Sequence, residues 1–495
     1  MKKYIIAIDA GTTGITLLLF NKEAKAVKKV YSEFSQIYPN PGWVEHSPIE
    51  IWEIVQLLLK ELTKDILPES IASIGITNQR ETTVIWDKSN SKPIYNAIVW
   101  QCTRTSMFCN QLKEQGHAER FFSKTGLILD SYFSGTKINW ILNNVENARE
   151  MAKNGDLLFG TIDTWLIWNL TNGKSHLTDY TNASRTLVYN IDAKEWDKEL
   201  LELLEIPSNI LPKVQSSSSD FGVTDRSILG RNIPISGVVG DQQSALYGQL
   251  AFEKGMSKCT YGTGCFLLTN TGNTRINSKN GLLTTLACDA WGNPTYALEG
   301  SVFIGGAVIQ WLRDELNLIQ SASETNDIAN SINSNGDVYI VPAFSGLGAP
   351  HWDMDARGLI TGITRDTNTS HFIRAALESI AFQVHDLLTS VQLDLGVNLS
   401  SLKVDGGATQ NNFLMQFQSD ILNFDIKRPE NIETTALGAA LLAGLAVKFW
   451  ASPNDFKNTI KVNKSFTPSM DNTLRTSLLF GWSDAISRTL TNKGK

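Results

Sequence analysis

Two aspartates stand where apolar, β-rich runs give way to polar, glycine-bearing turns: Asp9 in YIIAIDAGTTG and Asp241 in GVVGDQQSALYGQ. Phosphoryl transfer needs one carboxylate to support Mg²⁺ and another to orient and deprotonate an attacking hydroxyl. This pair offers both, although either aspartate alone also suits the cap of a turn. Gly11-Thr12-Thr13-Gly14 and Gly262-Thr263-Gly264 are glycine turns lined with hydroxyls, where backbone N–H groups and threonines approach phosphate oxygens closely. Each is also an ordinary hairpin turn, but one lies in each half of the chain, which strengthens the phosphate reading. Val404-Asp405-Gly406-Gly407, ahead of a helix led by Asn411, offers a bare helix start on which a nucleotide could lie, or else a plain strand-to-helix turn. Gly173-Lys174-Ser175 ends like a Walker loop, but Trp168 occupies the place of its first glycine, so only a turn is expected.

These residues need a frame that brings distant turns together. YIIAIDAGTTGITLLLF reads as a buried β-hairpin. Helical and β-rich patterns then alternate: Ser47-Pro48 opens a helix as cap and first-turn proline, IASIGIT from Ile71 is a strand, and Ile138 onward looks helical. This alternation predicts an α/β class. IPISGVVGDQQSALYGQ is a strand from Ile233, a turn at Gly240-Asp241 and a helix starting near Gln242. The second half replays the pieces, with KCTYGTGCFLLTN from Lys258 as a hairpin and SLKVDGGATQNNFLMQF from Ser401 as strand, turn and helix. A duplicated pair of α/β domains is expected, 1–250 and 251–495, divided in the stretch from Gln249 to Lys254. SVFIGGAVIQWL reads as an amphipathic helix whose spacing of four puts Gly306 and Gln310 on one face. Arg80 and Glu81 would point to opposite faces of a regular strand, so irregular backbone is expected after Asn78 if both serve one ligand. The alternative is a solvated charge pair at a strand end.

At 495 residues with thirteen tryptophans the chain can bury more than one core, since single cores stop growing near ~250–300 residues. Its net charge of -6 is spread along the sequence, without a basic run that would mark a nucleic-acid or anionic-membrane surface. A small-molecule ligand is the better expectation. Five cysteines without a CxxC pair or histidines at zinc-ligand spacing read as reduced, buried thiols of a cytoplasmic protein. Lys2-Lys3 before an apolar run imitates an export signal, but Asp9, Gly11, Thr12 and Thr13 interrupt it and no cleavage site follows. No stretch reaches the ~18 uninterrupted apolar residues of a membrane-spanning helix.

Six segments in order resemble the FGGY carbohydrate kinases of the actin, hexokinase and Hsp70 ATPase superfamily: NQRETT from Asn78, IVWQCTRT from Ile98, DSYFSGTKINWIL from Asp130, GTIDTWLIWNLT from Gly160, GDQQSALYGQ from Gly240 and YGTGCFLLTNTG from Tyr261. Within that family they are most similar to the branch that phosphorylates glycerol, and the resemblance covers essentially the whole chain. It implies two actin-like, ribonuclease H-like domains, each a five-stranded sheet with helices, closing on ATP and polyol in a catalytic cleft. It implies Asp241 as catalytic base and Asp9 as support for Mg²⁺, directly or through water. Glycerol would meet Arg80, Glu81, Tyr132, Asp241 and Gln242, with Trp100 and Phe266 as an apolar wall. On composition alone those two aromatics belong to a core. Three hydroxyls that donate and accept suit this mix of an arginine, carboxylates and a phenol. The nucleotide would be held by Thr12, Thr13, Gly14, Thr263, Gly306, Gln310, Gly407 and Asn411. The family also forms dimers and tetramers, which implies a homo-oligomer.

The chain departs from that pattern in its first turn, where the branch commonly places an arginine, and related sugar kinases a lysine, at the position of Thr16. A cation there would stabilise the transferring phosphoryl group, on the order of 10² to 10³ in rate. The departure admits three readings: compensation by Mg²⁺, threonine hydroxyls and backbone donors; a kinase for another small polyol or sugar; or a non-catalytic ligand-binding relative. The loop through which bacterial relatives bind fructose 1,6-bisphosphate corresponds to Ser227-Ile228-Leu229-Gly230-Arg231-Asn232 and has lost most of its glycines. Gln215 to Thr224 holds no histidine for an activating phosphorylation. Neither control is expected.

Overall fold

The computed structural model describes residues 2–457 and 460–491. The opening run folds as β1 (Tyr4–Ala10) and β2 (Gly14–Phe20), an antiparallel pair with Asp9 opposite Thr16. β3 (Ala26–Glu33) pairs with β2 and sets Tyr31 opposite Thr16. β4 (Ile71–Asn78) and β5 (Ile235–Gly240) join in parallel on the other side, giving the order β5-β4-β1-β2-β3. Both faces of the sheet are covered, which is why β1 reads as an unbroken apolar run. The two-residue period still sorts its side chains: Ile6 and Ile8 join one core, Ile5 and Ala7 another, and Asp9 continues the second face. α1 (Pro48–Thr63) covers the first face with Ile51, Val55, Leu58, Leu59 and Leu62, and Ser47 caps it by accepting a hydrogen bond from the Glu50 N–H. α2 (Asp241–Gly248) follows β5 directly.

The second half repeats this plan with additions. β6 (Ser257–Tyr261) and β7 (Cys265–Gly272) form the second hairpin, and β8 (Leu283–Cys288) and β9 (Pro294–Val302) continue it antiparallel. β10 (Ser401–Asp405) and β11 (Asp425–Pro429) join in parallel, and β12 (Val462–Phe466) pairs antiparallel with β11. The order β8-β9-β7-β6-β10-β11-β12 contains the first sheet's pattern as β11-β10-β6-β7-β9. The expected second five-stranded sheet is therefore corrected to a seven-stranded one. The extra strands β8 and β12 pair edge N–H and C=O groups that would otherwise lie open.

Four helices complete the site's frame: α3 (Ala307–Asp314), α4 (Thr369–Leu395), α5 (Asn412–Leu422) and α6 (Thr434–Ala446). α4 runs along the second sheet, whereas α6 crosses back to the first, where Ala436, Ala439, Ala440 and Ala443 share a core with Ile5, Ala7 and Val239. Its sequence is apolar all round because it is buried all round. The contact is backbone-close: a Cβ on Gly438 would lie 2.0 Å from the Ser244 carbonyl oxygen, and one on Gly248 2.1 Å from that of Thr434.

SVFIGGAVIQWL is not helical throughout. Its first residues complete β9, pairing Val302 with Cys265, and the helix begins only at Ala307. Gly305 and Gly306 make the break, each donating its N–H at 2.8 Å to a carbonyl of the turn at Gly262-Thr263. Gly173-Lys174-Ser175 is a turn, as expected, with Gly173 at a φ of 76°. All five cysteines are buried and free. Among the described residues no helix is long and apolar enough to cross a membrane.

Candidate active site

β4 ends at Asn78 and the backbone turns sharply, with Glu81 at a φ of 61°. For a non-glycine residue that conformation costs on the order of 1–3 kcal/mol and persists only where its surroundings impose it. Here it brings two sequence neighbours into one buried cluster. Arg80 Nε lies 3.1 Å from Asp241 Oδ1, and its Nη1 and Nη2 donate to Glu299 at 2.6 and 2.8 Å. Arg80 Nη1 also reaches Gln243 Oε1 at 3.1 Å. Asp241 opens α2, and the residue before it must be glycine, since a Cβ on Gly240 would lie 2.7 Å from Arg80 Cδ. Glu81 Oε1 accepts from Arg185 Nε at 2.6 Å, and Gln242 Oε1 from Lys258 Nζ at 2.6 Å.

Several polar tips in this cluster are left open. Among the described residues no hydrogen-bond partner occupies Glu81 Oε2, Gln242 Nε2 or the Tyr132 hydroxyl. Tyr132 packs edge-on against Trp100 with ring centroids 5.4 Å apart, and Trp100 against Phe266 at 6.3 Å, so both aromatics line this site rather than a core. Phe266 arrives from the second hairpin, and the wall therefore spans both domains. Trp100 also donates from Nε1 to the Thr12 hydroxyl at 3.0 Å, tying the wall to the first glycine turn.

The electrostatics separate permanent charges from titratable ones. Burial opposes the charge of Arg80, but Glu299 and Glu81 outweigh it and hold the guanidinium ionised. Glu299 resists the same penalty through Arg185 and Arg80, and its carboxyl is drawn down to about 2. Asp241 is pushed upward by burial, against the pull of Arg80 and Lys258. Asp9 is pushed up to about 8, first by burial and then by the charges of Asp241 and Glu433. No side chain among the described residues donates a hydrogen bond to Asp9, so two carboxyl groups face each other with only the more distant charge of Lys29 to offset them. That donor set fits a hard divalent cation such as Mg²⁺, which takes oxygen ligands and keeps several waters.

Across the cleft lies a cavity of about 690 Å³, a volume suited to a nucleotide, whose lining includes Thr263, Gly306, Gln310, Gly407 and Asn411. Gly407 has open space around its Cα, and Gly406 before it holds a φ of 90° with the Tyr261 carbonyl pressed against it. Asn411 is already engaged: its Oδ1 caps α5 at Leu414 N–H, and its Nδ2 donates to the Thr325 hydroxyl. Thr12, Thr13 and Gly14 stand apart from this cavity on the first hairpin, with Thr13 exposed and Gly14 buried beneath Tyr31, 2.7 Å from where its Cβ would be. Thr16 sits between Asp9 and Tyr31 on one face of the first sheet. Lys29, two residues from Tyr31, puts a cation on that face, where it pairs with Glu433 at the start of α6.

Sequence reasoning missed Arg185, Gln243, Lys258 and Glu299, all buried in this cluster. Their signal was a charged or amide residue inside a run that otherwise reads as core, as Glu299 does in TYALEGSV, because such a group needs a buried partner.

Two domains of one strand plan, each opening on a hairpin whose glycine turn carries threonine hydroxyls, define a two-domain actin-like fold. The family model for the N-terminal domain of the FGGY family of carbohydrate kinases matches residues 4–248, and that for the C-terminal domain residues 257–447. The chain belongs to the FGGY family of carbohydrate kinases. It is 56% identical over 492 residues to a glycerol kinase of Clostridium botulinum, with 99% of each chain covered. It is 57% identical over 490 residues to one of Carboxydothermus hydrogenoformans, with 98% of each covered. Its fold matches that of Plasmodium falciparum glycerol kinase with ADP at a TM-score of 0.92 and 40% identity, covering 99% of this chain and 98% of that one. A xylulose kinase from Lactobacillus acidophilus shares the fold at a TM-score of 0.89 and 24% identity, over 99% of each chain.

Proposed function

We propose that this chain transfers the γ-phosphoryl group of ATP to a terminal hydroxyl of glycerol, giving sn-glycerol 3-phosphate and ADP. The observation that carries the reading is the Arg80, Glu81 and Asp241 cluster, whose open polar tips face a Trp100, Tyr132 and Phe266 wall. A triol satisfies such a site, because every hydroxyl finds a donor or acceptor while the carbon chain rests on the aromatics. Arg80 and Gln242 donate, Glu81 and Asp241 accept, and the Tyr132 phenol, which burial keeps protonated, donates or accepts.

Asp241 is the base. Its carboxylate takes the proton of the attacking hydroxyl as the new O–P bond forms in line with the breaking bond from the γ-phosphorus to the β,γ-bridging oxygen, and ADP leaves. Its upward-shifted carboxyl suits that exchange, while Arg80 at 3.1 Å orients it. Asp9 would hold Mg²⁺, which supplies charge neutralisation at the phosphate oxygens when bound. Thr12, Thr13 and Gly14 on one side and Thr263 on the other cradle the phosphates through N–H and hydroxyl groups. Gly306, Gln310, Gly407 and Asn411 line the remainder of the nucleotide site. Domains of 1–250 and 251–495, a cytoplasmic location and a homo-oligomeric state belong to the same proposal.

The test is a coupled ADP-release assay with ATP and Mg²⁺, comparing glycerol with dihydroxyacetone and xylulose. Glycerol-dependent turnover is expected, and in Asp241→Asn it drops by about 10² to 10⁴ with ATP affinity little changed. Thr16 favours one alternative, a kinase for another small polyol, and preference for a different substrate would establish it. Binding of ATP and glycerol with no turnover on any substrate would sink the kinase reading.

A further inference from the structure

The charged cluster beneath the polyol site is shared between the two domains, and Glu299 makes the join. It lies on β9 in the second domain, is fully buried, and has both carboxylate oxygens engaged by arginines of the first domain. Oε2 accepts from Arg80 at 2.6 Å, and Oε1 accepts from Arg80 at 2.8 Å and from Arg185 at 3.1 Å. Arg185 in turn holds Glu81 at 2.6 Å. Two side chains assigned to glycerol, Arg80 and Glu81, are thus positioned by a carboxylate from the domain that carries the nucleotide cavity. A bidentate guanidinium–carboxylate pair fixes direction as well as distance. Arg185 Nη1 is buried with no acceptor, so this guanidinium is placed by the two carboxylates it holds and not by its own full satisfaction.

The strand of Glu299 also leads to the cavity lined by Thr263 and Gly306. β9 ends three residues later at Val302, and Gly305 and Gly306 beyond it are hydrogen-bonded to the Gly262-Thr263 turn. A shift of β9 that re-aims Glu299 therefore displaces the second phosphate turn as well.

We propose that Glu299 is a positioning residue that couples the two ligand sites: a polyol that fixes Arg80 and Glu81 favours the β9 placement that the nucleotide turn requires. The inference rests on the glycerol reading above. By linkage the effect is reciprocal, each ligand tightening the other by the same factor. Glu299→Gln keeps the size of the side chain and removes its charge and its second acceptor oxygen.

The experiment is calorimetric titration of ADP, which cannot transfer a phosphoryl group to glycerol, into the full chain with and without saturating glycerol. In the unmodified protein glycerol tightens ADP by about tenfold; in Glu299→Gln that factor falls below about twofold, while ADP affinity without glycerol stays within about threefold. A purely structural Glu299 would lower thermal stability and leave the glycerol factor intact, and an intact factor overturns the proposal. If Glu299→Gln does not fold, Glu299→Asp, too short to reach both arginine nitrogens, carries the same expectation. Glycerol binding without any effect on ADP in the unmodified protein overturns the coupling alone. ADP binding with no glycerol binding overturns the polyol reading and the coupling with it.

Discussion

Asp9 titrates far from the ordinary carboxylate range. Its carboxyl is raised from 3.8 to about 8 by burial and by the facing charges of Asp241 and Glu433. Below pH 3.8 the folded and unfolded chains are both protonated there, and the contribution to stability is fully present. From there to about 8 the unfolded chain ionises and the folded one resists, so stability is lost as pH rises through that window. Asp9→Asn removes this loss. In metal-free buffer the variant should gain thermal stability over the parent between pH 4 and 8, and identical pH slopes for the two proteins would remove the account. Thr16 yields a second expectation. Opposite both Asp9 and Tyr31, it is placed so that Thr16→Arg sets a cation beside Asp9 and the first glycine turn. Turnover should rise, by up to about 10² to 10³, with Thr16→Met as the control for bulk. A rise shared by Thr16→Met would show that charge is not the reason.

At the scale of elements, the crossing of α2 and α6 is the tightest joint in the frame. Ser244 and Gly248 on one helix meet Thr434 and Gly438 on the other, with a Cβ on Gly438 falling 2.0 Å from a backbone oxygen and 2.7 Å from the Ser244 hydroxyl. Backbone cannot yield as a flexible side chain does, so Gly438→Ala must separate the helices, at about 1–3 kcal/mol or more. Because α2 begins with Asp241, the same displacement reaches the residue proposed as the base. A lower melting temperature together with reduced turnover is expected, and a variant with full stability would refute this packing argument. The second glycine turn shows the same economy of space: a Cβ on Gly306 would lie 2.7 Å from the Gly262 carbonyl oxygen, and one on Gly305 2.8 Å from Cys265 Sγ.

The whole molecule is two sheets whose cores do not divide where the chain does. β5 ends at Gly240 and β6 begins at Ser257, yet the second face of the first sheet is covered by α6, which comes from residues beyond 430. Ile5, Ala7, Leu18, Phe20 and Val239 all pack in a core with Ala436 to Ala443, Phe449 and Trp450. A fragment of residues 2–250 would expose that face. It should unfold at lower temperature than the full chain or aggregate, and an equally stable, monomeric fragment would show that α6 is dispensable to the first domain. α2, which bears Asp241, and α6, which Glu433 precedes, pack directly against each other.

The amino-acid sequence by itself determined what depends on neighbours along the chain. The two hairpins, the Ser47 cap and the strand-to-helix turn at Gly240-Asp241 follow from glycine freedom, capping chemistry and side-chain period, which act over a few residues, whereas the break after Asn78 was expected only because the resemblance sets Arg80 and Glu81 on one ligand. The site residues came from motif resemblance, and the structure gathers Arg80, Glu81, Asp241, Trp100, Tyr132 and Phe266 into one cluster. Tertiary structure alone decided the rest. SVFIGGAVIQWL divides into strand and helix because β7 is available to pair with β9, which a short apolar run cannot announce. The second sheet grows to seven strands because β9 and β11 have open edges where β8 and β12 can pair. Glu299 became part of the site because burial left its charge no partner except Arg80 and Arg185 of the opposite domain, and Arg185 because it bridges Glu299 to Glu81; a buried charge is tolerable only where such a partner is within reach.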